Sequence, residues 1–321
     1  MRLSKTIAAT GVAALALGLT LVSSPASATT CDFKSLIVNT GDSHLLIFNP
    51  DGTVEHDVTT PRTYGDIAYD GNTGKTYGNQ MGGDWFEIDI DSGAELRSFT
   101  PGAGVGTNFT NALSVRADGL LVTSVGSDVY TVDPSNGNTN VIFDMNLIQD
   151  ENGVVGGSWG SAGDFITMTN GDLLGLLNSS VIGGGTVLVR ISGNTGTVVG
   201  TVPSSWGGGR AGSTVYFAGS DGVLRSTTSI PTTASSAALT TTVLHDSQGA
   251  TSYYGAAGTE DAVTSTCSVA AQRGVLDEQK TTVAETLPDT SGAGSLGWIG
   301  AALAVVFAGA ASIWVAKRKR A

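Results

Sequence analysis

Residues 66–100, DIAYDGNTGKTYGNQMGGDWFEIDIDSGAELRSFT, decide how the rest of the chain is read. Short runs of β-branched and aromatic residues flank two turn-forming clusters, Asp70-Gly71-Asn72-Thr73-Gly74 and Asp91-Ser92-Gly93. Runs this short, punctuated by Gly, Asn and Asp, favour strands joined by tight turns over helices. The same order of strand, glycine turn, strand, longer loop, strand, Asp/Ser-x-x-x-Gly turn and strand recurs twice. Its copies are ALSVRADGLLVTSVGSDVYTVDPSNGNTNVIFD (112–144) and DFITMTNGDLLGLLNSSVIGGGTVLVRISGNTGTVVGTV (164–202). A looser fourth copy begins at STVYFAGSDGVLRSTTSI and runs to His245, with a Ser/Thr/Ala-rich insertion at 231–238. Helical periodicity is confined to a short stretch at 144–150.

The flanks complete the count. SLIVNTGDSHLLIFNPDGTVEHDVT (35–59) matches the last three strands of a repeat but lacks the first. SYYGAAGTEDAVTSTC (252–267) matches a first strand with nothing after it. Together they make a fifth unit. Four strands every 43 to 52 residues resemble the blades of a β-propeller, in particular extracellular kinds with a D-P-x-T-G-like turn between the outer strands. The fold expected over 29–267 is therefore an all-β, five-bladed propeller with a composite closing blade, and a β-sandwich is the alternative. In such a ring Cys31 and Cys267, the only two cysteines, flank the missing turn of the composite blade. The resemblance thus implies a Cys31–Cys267 disulfide that closes the ring, worth at most ~5 kcal/mol by loop-closure entropy.

In a propeller the innermost strands line the axis, and the segments leading into them crowd one mouth. Here these segments carry aromatics at Tyr64, Phe109, Trp159, Trp206 and Tyr253, or its neighbour Tyr254, spaced by 45, 50, 47 and 47 residues. Two readings are open. The rings wedge between blades, as repeated packing residues do, or some of them surround the mouth and stack on a ligand. Asn108, Asn111, Asp66, Asp164 and Arg210 lie in the same segments, and aromatic faces beside such groups suit sugars. Trp159 and Trp206 stand in glycine-rich runs and are the expected stacking rings, with Arg210 among the ligand contacts.

Catalytic motifs are sparse. His44, His56 and His245 have no metal-ligand spacing, and Ser158 and Ser161 lack the strand-to-helix context of a nucleophile. Asp89 to Glu95 alternates acids, but it is explained as a hairpin between outer strands. Neither a cofactor nor a metal is expected. The one enzymatic alternative is a glycan-cleaving pair, Asp66 and Asp164, which would have to sit about 5–10 Å apart.

The termini carry addresses. Arg2 and Lys5, an apolar run from Ile7 to Val22 and Ala26-Ser27-Ala28 have the layout of a signal peptide over 1–28. A spacer, 268–286, leads to Leu287-Pro288-Asp289-Thr290-Ser291, an apolar span at 296–316 and Lys317-Arg318-Lys319-Arg320. A span of that length can cross a bilayer, with the basic tail held inside. The order resembles the LPXTG-type cell-wall sorting signal of Gram-positive surface proteins over 287–321, with Ser291 where glycine is usual. The resemblance implies sortase and peptidoglycan as partners, with the membrane as anchor before or without sorting. It places the ring outside the cell, anchored to the wall or the outer face of the membrane. All 28 acidic residues but only 10 of the 16 basic ones lie between residue 28 and Thr290, a net charge near −18 that repels nucleic acid.

These features describe a monomeric surface module that binds glycan or protein at its mouth, a passive structural surface protein being the bland alternative. If Cys31 and Cys267 close the ring, Cys31→Ser lowers the thermal midpoint of the oxidised protein in scanning calorimetry. An unchanged midpoint excludes closure by that bond.

Overall fold

Twenty-two strands and one 3-10 turn organise residues 36–106, 108–259 and 261, the part of the chain that the computed structural model describes. β1 (Leu36–Thr40), β2 (His44–Phe48) and β3 (Val54–Thr59) come first. β4 (Asp66–Asp70), β5 (Lys75–Asn79), β6 (Trp85–Ile88) and β7 (Glu95–Phe99) form an antiparallel sheet in chain order. So do β8 (Ser114–Val115), β9 (Leu121–Val125), β10 (Asp128–Val132) and β11 (Thr139–Asp144). The expected helical stretch is only a 3-10 turn, Met145–Leu147, where the Asp144 side chain accepts the Asn146 N–H.

The third sheet is the largest. β12 (Ile148–Asp150) and β13 (Gly153–Val154) precede β14 (Trp159–Thr167), β15 (Leu173–Ser179), β16 (Thr186–Ser192) and β17 (Thr195–Val202). β12 runs parallel to β17 on its outer edge, an addition that the repeat pattern does not contain. The insertion at 231–238 also serves that edge, through Thr201 N–H to the Ala237 carbonyl and Leu239 N–H to the Thr201 carbonyl. A strand edge that would otherwise present unpaired amides is thus covered along its length. β18 (Ser205–Ala211), β19 (Thr214–Gly219), β20 (Val223–Thr227) and β21 (Thr242–Asp246) make the fourth sheet.

β22 (Tyr253–Gly258) then returns to the start of the chain and pairs antiparallel with β1, Leu36 opposite Gly258 and Val38 opposite Ala256. The fifth sheet is therefore β22-β1-β2-β3, the composite blade expected from the split repeat. The inner strands β4, β8, β14, β18 and β22 each lie beside the next, and β22 beside β4, so the sheets close into a five-bladed β-propeller and not a sandwich. Cys31, Cys267, the signal peptide, the spacer and the sorting signal lie outside the described residues. No helix among the described residues is long and apolar enough to cross a membrane.

Strands buried on both faces show why the ring forms. Ile67 and Tyr69 of β4 pack toward the fifth blade with Ile37, Leu45 and Val58, whereas Ala68 between them packs toward the second with Leu113 and Val115. In β16, Val187, Val189 and Ile191 face the second blade and Leu188 the fourth. Alternate residues point to opposite faces of a strand, so each blade contributes to two cores. Five apolar clusters correspond to the five interfaces between blades. Each fully buried Val, Leu or Ile contributes about 1.5–3 kcal/mol of transfer free energy.

The turns obey their sequence. In Asp89 to Gly93 and Asp133 to Gly137 the Gly N–H donates to the Asp carbonyl at 2.8 and 2.7 Å, and both glycines have left-handed φ, 74° and 78°. The Asp side chains accept further turn amides, Ser92 N–H on Asp89 and Ser135 N–H on Asp133. Such geometry requires glycine at the fifth position and rewards aspartate at the first.

Near the axis the glycines answer a different need. A Cβ on Gly163 of β14 would come within 1.7 Å of the Trp206 carbonyl oxygen, one on Gly209 within 2.3 Å of Gly258 N, and one on Gly207 within 2.4 Å of the Gly255 carbonyl carbon. Main chain packs on main chain here. β14 even approaches β22, its non-neighbour across the axis, with Cα atoms within 8 Å. Gly163→Ala should therefore cost roughly 3 kcal/mol, a fall in thermal midpoint of about 6–12 °C. Gly160→Ala in the same strand, where a Cβ meets no atom within 4 Å, should leave the midpoint nearly unchanged.

Candidate functional site

Close packing of inner strands leaves amide groups that need acceptors in a place water does not reach, and three carboxylates supply them. Asp66 begins β4 and accepts its neighbour Ile67 N–H at 2.8 Å and, on its other oxygen, Leu113 N–H of the second blade at 3.0 Å. Ala256 N–H of β22 also bonds it. Asp164 accepts Phe165 N–H at 2.7 Å and Gly208 N–H of the fourth blade at 3.0 Å. Asp261, after β22, takes Gly258 N–H at 2.8 Å and Arg210 N–H at 3.0 Å. Each carboxylate thus joins its own inner strand to a neighbouring blade. Two asparagines do the same one strand out: Asn39 Nδ2 donates to the Tyr64 carbonyl, and Asn79 Nδ2 to the Thr110 carbonyl.

This arrangement corrects the paired-carboxylate expectation. Asp66 and Asp164 do lie near the axis, but both are 0% exposed. Their oxygens hold main-chain amides, which leaves no room for a glycosidic oxygen or an attacking water. Burial pushes both carboxyls well above the ordinary value, and for Asp164 the charge of Asp66 adds to the effect. Arg210 is likewise removed from the ligand contacts. Only 3% exposed, it donates Nε to the Thr167 carbonyl and Nη1 to the Gly212 carbonyl, tying the fourth blade to the third.

The five aromatics divide. Tyr64 is buried between the fifth and first blades and donates its hydroxyl to Glu95 at 3.1 Å. Trp159 is buried between the second and third, with Nε1 toward the Val155 carbonyl, and Tyr253 between the fourth and fifth. Those three are wedges, so Trp159, expected to stack on a ligand, does not face solvent; burial raises the Tyr253 phenol to about 12. Phe109 and Trp206 are open, at 64% and 38% exposure. Phe109 stands on the connector into β8. Trp206, second residue of β18, meets the half-buried Tyr254 edge-on, ring centroids 5.6 Å apart at 71°.

Around this aromatic pair the residues are small and polar. Gly41, in the turn between β1 and β2, lies against the Tyr254 ring, where a Cβ would sit 3.1 Å from Cε1. Asp42 follows, exposed, accepting hydroxyls from Thr40 and Thr251. The hydroxyls of Ser204 and Ser220 pair beside β18, and those of Ser43 and Thr63 beside the turn. Among the described residues the only non-glycine residues with left-handed φ are Ser43 (68°) and Gln248 (54°). They occupy the two loops on either side of Tyr254, and strained backbone of this kind collects at functional sites. Reading by residue type leaves Asp42 unmarked as one turn acid among several; Asp221 stands at the matching β19–β20 turn, where it pairs with Arg225. Tyr254 is separable from Tyr253 only by strand alternation, which sends neighbours to opposite faces.

No family model and no curated protein matches the chain. Among solved structures, virginiamycin B lyase from Staphylococcus aureus is similar at 11% identity, over 59% of this chain and 64% of that one, with a TM-score of 0.34. The WD40 β-propeller domain of Doa1 is similar at 18% identity, over 46% of this chain and 44% of that one, with a TM-score of 0.30. The chain spans less than two thirds of the length of either. The five-bladed assignment stands on its own strand pairing.

The buried carboxyls give the ring a pH dependence of definite sign. A group held above its unfolded value of 3.8 makes the folded state the better proton acceptor. Its stabilising contribution is complete in acid and is lost as pH rises through the folded value. As pH rises above the unfolded value of 3.8 the urea midpoint should fall. Asp164→Asn should flatten that slope.

Proposed function

We propose that the chain is an exported, surface-anchored propeller that binds carbohydrate on the Trp206–Tyr254 shelf at the mouth of the ring. One observation carries the binding reading: of the five repeated aromatics, Trp206 is held open to solvent by an edge-on partner while three others are sealed between blades. A ring fixed in place loses little freedom on stacking against a sugar face. The hydroxyl and carboxylate groups beside it supply the directional bonds that pyranose hydroxyls require. The axis does not compete as a site, because its carboxyl groups are already bonded to main chain.

The two terminal segments support the location. Residues 1–28 fit an export signal, and 287–321 fit a sorting signal. Sortase and peptidoglycan would then be the partners of attachment, and the 296–316 span would hold the chain in the membrane until transfer. The acidic surface fits a monomer working outside the cell and turns nucleic acid away.

The test is a glycan panel probed with the full chain. Trp206→Ala and Tyr254→Ala should each weaken the best glycan more than tenfold, roughly 1.4 kcal/mol or more, with unchanged thermal midpoint, while Trp159→Ala should lower the midpoint. A panel on which the wild-type chain binds nothing, or a ligand indifferent to Trp206, overturns the reading.

A further inference from the structure

Asp42 has a setting that the carbohydrate reading does not by itself explain. The β1–β2 turn is pressed onto the aromatic shelf, Gly41 against Tyr254, so Asp42 stands at the margin of the half-buried Tyr254 ring. Its hydrogen-bond partners are hydroxyls, Thr40 and Thr251. They hold its carboxyl below the ordinary range, so it is ionised at neutral pH. Among the described residues no lysine or arginine pairs with it. His44 acts on it through space but is hydrogen-bonded through Nδ1 to Asp57 at 2.6 Å, and Arg62 is engaged by Glu95 and Gln80. The carboxylate therefore presents a charge that no lysine or arginine neutralises, on the turn that packs against the Tyr254 ring, in a chain whose net charge is already −12.

A negative charge next to the negative faces of aromatic rings is matched by a cation, which gains from both. It repels sulfated, phosphorylated or uronic sugars, and it gains less from an acetamido group, whose N–H donates a hydrogen bond but carries no charge. The positive φ of Ser43 fixes the turn that carries Asp42, so the charge is placed before the ligand arrives.

We infer that the Trp206–Tyr254 shelf selects amine-bearing sugars, a glucosamine-type unit with its ammonium on Asp42 and its ring face on Trp206. The selection rests on the carbohydrate-binding reading and narrows its ligand class.

Two tetrasaccharides test it by titration calorimetry on the full chain in detergent: β-1,4-linked glucosamine and its fully N-acetylated counterpart, at slightly acidic pH and low salt. The amine form should bind at least tenfold more tightly, with a preference that shrinks as salt is raised. Asp42→Asn should abolish the preference while keeping the thermal midpoint, and Asp42→Glu should restore part of it. Equal binding of the two tetramers, or a preference that survives Asp42→Asn, overturns amine selection and leaves carbohydrate binding standing. Binding of neither tetramer by the wild-type chain overturns both.

Discussion

The ring depends on how closely its inner strands approach one another. Backbones in contact at Gly163, Gly207, Gly209 and Gly258 leave amides with neither water nor a ladder partner. An unsatisfied buried amide costs about 1–3 kcal/mol. Asp66, Asp164 and Asp261 meet that need with short side chains, each oxygen turned to a different strand. Glycine permits the approach and aspartate makes it tolerable, and neither works alone. The apolar clusters between blades then supply the bulk of the stabilisation around a centre whose geometry is already set.

Much of this architecture is legible in the residues. Turn clusters mark the hairpins, because Asp and Gly at fixed positions have few other uses, and alternation marks strands buried on both faces. The composite blade follows from counting strands, and β22 on β1 bears it out. What escapes is the content of the axis. Asp66 and Asp164 at loop-to-strand junctions look alike whether they face a substrate or a neighbouring amide, since the difference lies in a second strand some fifty residues away. Arg210 misleads for the same reason: a guanidinium among glycines looks open until the carbonyls of Thr167 and Gly212 are seen around it. β12 and β13 are too short to register as strands, and β12 is stabilised by an edge that only the assembled blade provides.

The candidate site shows how a repeat becomes specific. Five equivalent positions carry an aromatic residue, and the fold uses three as wedges. Trp206 escapes burial because Gly207 and Gly163 draw its backbone onto the axis, leaving the indole to solvent. Tyr254 escapes because Tyr253 already fills the interface. The fifth blade, the one assembled from both ends of the chain, supplies the partner ring and the loops around it. The candidate site thus lies where the repeat is least regular, at a position where substitution disturbs packing least.

The composite blade also sets an order of events for a chain that emerges end first. The first, second, third and fourth blades each contain all their strands in sequence and can stack as they appear. β1, β2 and β3 emerge before any of them yet lack an inner neighbour, so β1 waits with an open edge, a template for wrong pairing. Only when Tyr253 to Gly258 has appeared can that edge be covered and the circle completed. A chain interrupted just before that point holds most of its residues and no ring, so closure itself certifies that synthesis has passed the last inner strand.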